Sequence, residues 1–382
     1  MLHSPIANQK SQIKYFLVTN PRFIAFHLPQ FHPIPENDAW WGKGFTEWTN
    51  VTKAAPLFTG HYQPHLPADL GFYDLRLPEA RAAQAQLARE YGIHGFCYYH
   101  YWFNGRRILE RPVNEILALR QPDFPFCLCW ANENWTRRWD GEDQQVLLGQ
   151  SYSAADDLAH LRELARYFRD PRYIRVRGKP LFLVYRASQL PDPAATVARW
   201  RTEAARLGFE GLYLCNVETM AKEKNLTTAA GFDAAVEFAP DWECAPPPIR
   251  PSVRAPQLFL KGSPAVWREH HIVEYSDLRD QMLAKPDPPY LRFPGVTPGW
   301  DNASRRKKNA FIAHNSTPQA YAQWLAAAIQ RFKAPHPEEN FIFINAWNEW
   351  AEGNHLEPCQ KWGRAYLEAT RDVLRKSSQP NA

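Results

Sequence analysis

No stretch of the 382 residues approaches the roughly 18 consecutive apolar residues that cross a bilayer, so no transmembrane segment is expected. The first 20 residues carry Gln9, Lys10, Gln12 and Lys14 and hold no continuous apolar segment. They do not resemble a signal peptide, and a cytoplasmic location is expected. Six cysteines occur without a CxxC pair, and Cys97, Cys127, Cys129 and Cys215 lie inside strand-like runs. They read as reduced, buried thiols and not as a disulfide frame. The histidines show no HExxH spacing, and no acid-rich calcium loop, Walker motif or dinucleotide fingerprint is present. No metal and no cofactor is expected. The net charge of +5 is mild for this length. Its one strong cluster, Arg305-Arg306-Lys307-Lys308, reads as a solvated loop, with binding of phosphate or an acidic glycan as the alternative. Tryptophan-rich segments here carry acids and not lysines, which argues against nucleic acid as a partner. Nothing in the sequence sets the oligomeric state.

What the sequence does have is aromatic residues: 15 Trp, 16 Tyr and 22 Phe. Many stand beside polar residues, as in Trp40-Trp41-Gly42 and Asn132-Glu133-Asn134-Trp135. About half read as core, and the rest as walls of a binding cleft.

Eight strand-like runs occur, at 23–31, 95–103, 125–132, 180–186, 211–217, 234–240, 289–294 and 341–347. Their apolar cores lack clean alternation, as parallel strands covered by helices should. Helical patterns lie between them at 78–91, 111–120, 154–169, 193–207, 276–284, 318–332 and 361–375, with at most a short helix in 220–230. Eight strand–helix alternations predict a single α/β domain, a (β/α)8 barrel of the triosephosphate-isomerase type, with long loops on its C-terminal face. An open doubly wound sheet is the alternative, but the Gly-rich turn expected after its first strand is missing. The boundaries read as an N-terminal extension 1–22, the barrel 23–376 and a tail 377–382. Three insertions, 28–77, 133–153 and 241–275, each follow a strand. In a barrel such loops build the active site.

The eighth run ends in Trp347-Asn-Glu-Trp-Ala-Glu-Gly353. A buried strand has no structural need for Glu349 and Glu352 at its tip. Two carboxylates beside indole rings suit glycosidic chemistry, with an acid, a base and flat apolar surfaces for sugar rings. Residues three apart share a side only in a helical turn. The pair therefore requires the strand to end near Asn348 and the chain to curl at once, which Gly353 permits. Candidate sugar contacts at other strand ends and loops are His100, Tyr101 and Trp102; Asn132, Glu133 and Trp135; Trp41 and Glu47; Glu237; Trp300 and Asp301; and, around the pair, Trp347, Asn348 and Trp350. Several of these have plainer readings: His100 as a hydrogen-bonded strand end, Glu47 as a partner of Lys43, and Glu133 as a partner of Arg137 or Arg138.

Six segments taken in order resemble the WbsX-like, or glycoside hydrolase family 99-like, proteins. They are Phe26-His-Leu-Pro-Gln-Phe-His-Pro-Ile-Pro-Glu-Asn-Asp38, Trp40-Trp-Gly-Lys-Gly-Phe-Thr-Glu-Trp48, Tyr98-Tyr-His-Tyr-Trp-Phe103, Cys129-Trp-Ala-Asn-Glu-Asn-Trp135, Pro298-Gly-Trp-Asp-Asn302 and Trp347-Asn-Glu-Trp-Ala-Glu-Gly353. The resemblance implies a surface polysaccharide such as lipopolysaccharide O-antigen as substrate, and members are often labelled glycosyltransferases. A more distant likeness is to the family 99 endo-α-mannosidases and endo-α-mannanases, retaining (β/α)8 enzymes. Carried over, it implies Glu349 as the base toward the sugar 2-hydroxyl and Glu352 as the general acid. The reading is thus a retaining enzyme that cleaves or transfers the glycosidic bonds of an oligo- or polysaccharide with a carboxylate pair. The alternatives are an O-antigen glycosyltransferase and a non-catalytic glycan-binding barrel.

Overall fold

The structure, a computed structural model, describes residues 20–137, 142–250 and 263–378. Most of the 1–22 extension and of the 377–382 tail, and Arg138 and Asp140 after the third strand, lie outside the described residues. Eight parallel strands form the barrel: β1 Arg22–His27, β2 Ile93–Phe103, β3 Phe126–Trp130, β4 Lys179–Val184, β5 Tyr213–Glu218, β6 Ala234–Glu237, β7 in two pieces, Arg292–Phe293 and Gly295–Val296, and β8 Phe341–Ile344. Neighbours pair in order around the ring, and β1 pairs with both β2 and β8. The ring closes through β7, whose first piece pairs with β6 and whose second pairs with β8. Pro294, which has no N–H to give, stands where the strand changes neighbours. Gly295 follows because a Cβ there would lie 2.0 Å from the Glu237 carbonyl oxygen.

A helix follows each strand: α1 Pro78–Glu90, α2 Arg111–Leu119, α3 Ala154–Phe168, α4 Pro193–Arg206, α5 Leu226–Ala230, α6 Tyr275–Leu283, α7 Pro318–Arg331 and α8 Ala365–Ser377. Ser153, Asp192 and Thr317 cap α3, α4 and α7 by accepting from backbone N–H groups, each worth about 1 kcal/mol. Rings from neighbouring strands fill the barrel: Phe26 stacks on Tyr99 at 5.6 Å and meets Phe343 at 5.7 Å. The six cysteines are free thiols, all but Cys244 fully buried. No helix among the described residues is long and apolar enough to cross a membrane.

The expected (β/α)8 order is found, with shifted edges. The first and last strands stop at His27 and Ile344, short of the predicted 31 and 347, and the seventh lies later than predicted. Apolar residues beyond the strand ends, such as Leu28, Phe31 and Trp347, are buried under the loops. The loops after β6 and β7 also form a small parallel sheet, His271–Glu274 with Phe311–His314, over a satellite core of Phe58, Trp267 and Ile312. Four-residue strands in a loop give too short a pattern to read from sequence.

Candidate active site

Beyond β8 the chain makes a tight hairpin. Asn348–Glu349 pairs antiparallel with Asn354–His355, and a single 3-10 turn, Trp350–Glu352, joins them. Gly353 ends the turn at φ 57°, where a Cβ would press on the Asp301 side chain at 2.9 Å. The turn puts Glu349 and Glu352 on one side, as the spacing requires.

The segment after β7 is stitched to this hairpin. The Asp301 N–H donates to the Glu352 carbonyl at 2.5 Å, and the Ser304 hydroxyl donates to the Ala351 carbonyl. Asp301 caps the turn Asn302–Ser304, and its other oxygen bonds His61 at 2.6 Å and Gln63 at 2.7 Å. This delivers Arg305 between three carboxylates. Its Nη1 donates to Glu352 at 2.7 Å, its Nη2 to Glu349 at 3.1 Å, and its Nε to Glu47 at 3.1 Å, with a further Nη2 contact to Glu47. Both carboxyls of the pair thus touch one guanidinium.

Burial pushes Glu349 up to about 8, helped by the neighbouring Glu352 charge and opposed by Arg305. Burial also raises Glu352, with Arg305 again opposing. Two carboxyls held on one guanidinium in a desolvated site titrate as a pair, and burial favours keeping a proton there. Glu352 is the more accessible, its side chain 20% exposed against 8% for Glu349.

Above the pair lies a cleft of about 540 Å³ at the C-terminal ends of the strands. Trp41, Tyr101, Glu133, Trp135 and Trp300 line it, as the sequence proposed, together with Glu349 and Glu352. Glu47 lies fully buried behind the pair, bonded to Arg305 and not to Lys43, whose partner is Asp38. Glu133 pairs with Arg186 at 2.8 Å.

The other candidates are not brought to the cleft. Trp347 is wholly buried against Phe96, and Trp350 stacks on His355 at 3.8 Å while its indole N–H donates to Glu357. Both are core. Asn348 clamps the start of the first loop, accepting from the Leu28 N–H at 2.7 Å and donating to its carbonyl at 3.0 Å. Asn132 does the same for Arg186, at 2.8 and 2.9 Å. Buried amides of this kind satisfy loop backbone that would otherwise be orphaned. His100 faces His160 at 3.1 Å, and Trp102 stacks on His160 and donates to Asp156. Asp301 serves the cap already described and faces a separate small cavity. Glu237 pairs with Lys285 at 2.8 Å beside another cavity, bounded by β7, α6 and α7.

Sequence reasoning passed over Arg305, whose place in a basic run reads as a solvated loop; it is mostly buried, its side chain 13% exposed, and paired. It also passed over Tyr99, Tyr185 and Trp242, which line the cleft. Tyr99 stood in view beside Tyr101, two residues away and so on the same strand face. Burial raises the Tyr99, Tyr101 and Tyr185 hydroxyls well above their usual range, so they remain donors.

The profile of the family described as "Glycosyltransferase WbsX" matches residues 23–370. The WxcX proteins of two strains of Xanthomonas campestris pv. campestris are 48% identical over 355 residues, which is 93% of this chain and 50% of theirs. The chain thus spans about half the length of these curated relatives. Among solved structures, the GH99 endo-alpha-mannosidase from Bacteroides thetaiotaomicron superposes with a TM-score of 0.56 at 16% identity, covering 93% of this chain and 98% of that one. A glycoside hydrolase-like protein gives 0.59 at 14%, covering 98% and 97%. At these identities the likeness is one of fold.

Proposed function

The chain belongs to the WbsX glycosyltransferase family, and from that premise we propose that it breaks or transfers glycosidic bonds of a surface glycan with Glu349 and Glu352 as the reacting pair. The observation that carries this reading is a carboxyl pair at the floor of an aromatic cleft, with both members bonded to one guanidinium. Aromatic walls suit the apolar faces of sugar rings. In the working state Glu352, the more accessible carboxyl, holds the shared proton and Glu349 is ionised. Glu349 takes the proton of the sugar 2-hydroxyl, and that oxygen attacks C1. The bond from C1 to the leaving oxygen breaks, and the leaving oxygen takes the Glu352 proton. Glu352, now ionised, takes a proton from water or from an acceptor hydroxyl, whose oxygen adds to C1. The 1,2-anhydro ring opens and its oxygen recovers the proton held by Glu349. Two displacements at C1 give net retention. The same intermediate serves hydrolysis and transfer, so the family's transferase description and a hydrolase-like barrel are compatible.

The test is incubation with a panel of O-antigen and other surface polysaccharides, with and without oligosaccharide acceptors, followed by mass analysis of products. Shortened or extended glycans made by the wild type and not by Glu352→Gln support the reading. Glycans that bind but emerge unchanged from every incubation reject it in favour of a binding barrel.

A further inference from the structure

Glu47 opens a short helix, Glu47–Lys53, in the loop after β1. It is fully buried, and its Oε2 has no hydrogen-bond partner among the described residues. Burying a carboxylate costs several kcal/mol unless a partner compensates. The partner is Arg305, but Arg305 already bonds Glu349 and Glu352. One guanidinium among three ionised carboxyls leaves two surplus negative charges. A site built only to neutralise Arg305 has no use for the third carboxyl.

We propose that Glu47 is a positioning residue: it anchors Arg305 beneath the cleft and, through that guanidinium, fixes the orientation of Glu349 and Glu352 and keeps a proton on the pair. This rests on reading the pair as the reacting carboxyls. The fork geometry of arginine suits the task, because each nitrogen has a fixed direction and one carboxyl to hold. The surplus charge then makes full ionisation of the pair unfavourable. The other groups facing the pair do not supply that push. Tyr99 and Tyr101 on β2 and Tyr185 after β4 keep their protons. Arg306 favours ionisation of Glu352. Glu133 is taken up by Arg186.

The experiment is a titration of the full chain with 13C-carboxyl-labelled glutamate, read by NMR, with the pair's signals assigned from Glu349→Gln and Glu352→Gln. Glu47→Gln should lower the upper midpoint of the pair by about one unit or more, a tenfold loss of proton affinity. Glu47→Asp restores the charge but not the length, and should return the midpoint to within a few tenths of wild type. Arg305→Gln should raise it. A merely packing role predicts otherwise: water entering either Glu47 variant would draw the midpoint down toward an ordinary glutamate. Equal downward shifts in Glu47→Gln and Glu47→Asp, or no shift in Glu47→Gln with a native circular dichroism spectrum, overturn the proposal. Where the glycan panel yields turnover, the alkaline limb of its pH–rate profile should move with the midpoint. A panel without turnover counts against the catalytic reading, and the titration still decides the role of Glu47.

Discussion

Acidification should begin to destabilise this protein near pH 6.5, before its ordinary carboxylates start to protonate. Burial lowers His27 and His100 to about 3 and His32, His65 and His94 to about 4, and holds His160 and His355 well below 6.5. Two of these make imidazole pairs, His100 with His160 at 3.1 Å and His65 with His355 at 2.9 Å. A neutral pair shares one N–H between two nitrogens, whereas two imidazolium rings cannot face each other. The unfolded chain protonates near 6.5. Because the folded values are depressed, the stability from these seven is full above 6.5 and is lost as pH falls toward 4 and 3.

Three buried carboxyls act the other way. Glu349 is raised to about 8, Glu357 to about 7, and Glu352 is raised as well, all chiefly by burial. Their folded forms bind protons that the unfolded chain has released, so they favour the fold as pH falls toward 4.5. The lowered histidines, His270 among them, outnumber these carboxyls, so unfolding takes up about four protons near pH 5.5, a slope of about 5 kcal/mol per pH unit. Against the usual 5–15 kcal/mol of total stability, unfolding falls between about pH 5 and pH 3. Urea titrations followed by circular dichroism at constant ionic strength, from pH 7 to pH 4.5, measure the slope. Replacing His100 and His160 together by glutamine removes two of the four protons and should halve it. A free energy of unfolding that is flat or rising between pH 6.5 and pH 5 would refute the reasoning.

Three further outcomes follow from the site. Glu352→Gln should lose at least ~10²-fold in rate toward an active glycan, with its thermal midpoint unchanged within about a degree, because the amide keeps the size. Trp135→Ala should weaken oligosaccharide binding in calorimetry and leave the fold intact, whereas Trp350→Ala, emptying a buried site, should cost about 3–5 kcal/mol in urea unfolding. Proton NMR in the first minutes of turnover should show the product anomer retained, and a substrate lacking the reacting sugar's 2-hydroxyl should bind without turnover; an inverted first product would separate Glu349 from Glu352 and move the base to another strand tip.

The architecture was legible because it is carried by many weak, repeated signals. Eight apolar runs alternate with helical patterns, and an error of a few residues at any edge leaves the order intact. The pair was legible for another reason: Glu349 and Glu352 follow an apolar strand, and the three-residue turn that brings them together, ended by Gly353, lies within one short segment. Local geometry decided it.

The walls were harder to read, because a tryptophan beside a polar residue has two opposite explanations. Trp135 and Trp350 both follow an Asn or Glu in sequence. Trp135 opens on the cleft, and Trp350 is sealed over Glu357. The difference lies in the partner of the neighbouring polar group, which is distant in sequence. Asn348 bonds Leu28, Asn132 bonds Arg186, and Glu357 bonds Tyr73 and Gln84. The amides that read as sugar ligands are the braces that hold the loops over the barrel mouth. The same cause hid Arg305. In sequence it heads a run of four cations; in space it reaches Glu47, more than 250 residues earlier, and both members of the pair. A charge run predicts a solvated face only when no buried anion waits for one of its members. Here three do, and their surplus is what makes the arginine part of the site and not of the surface.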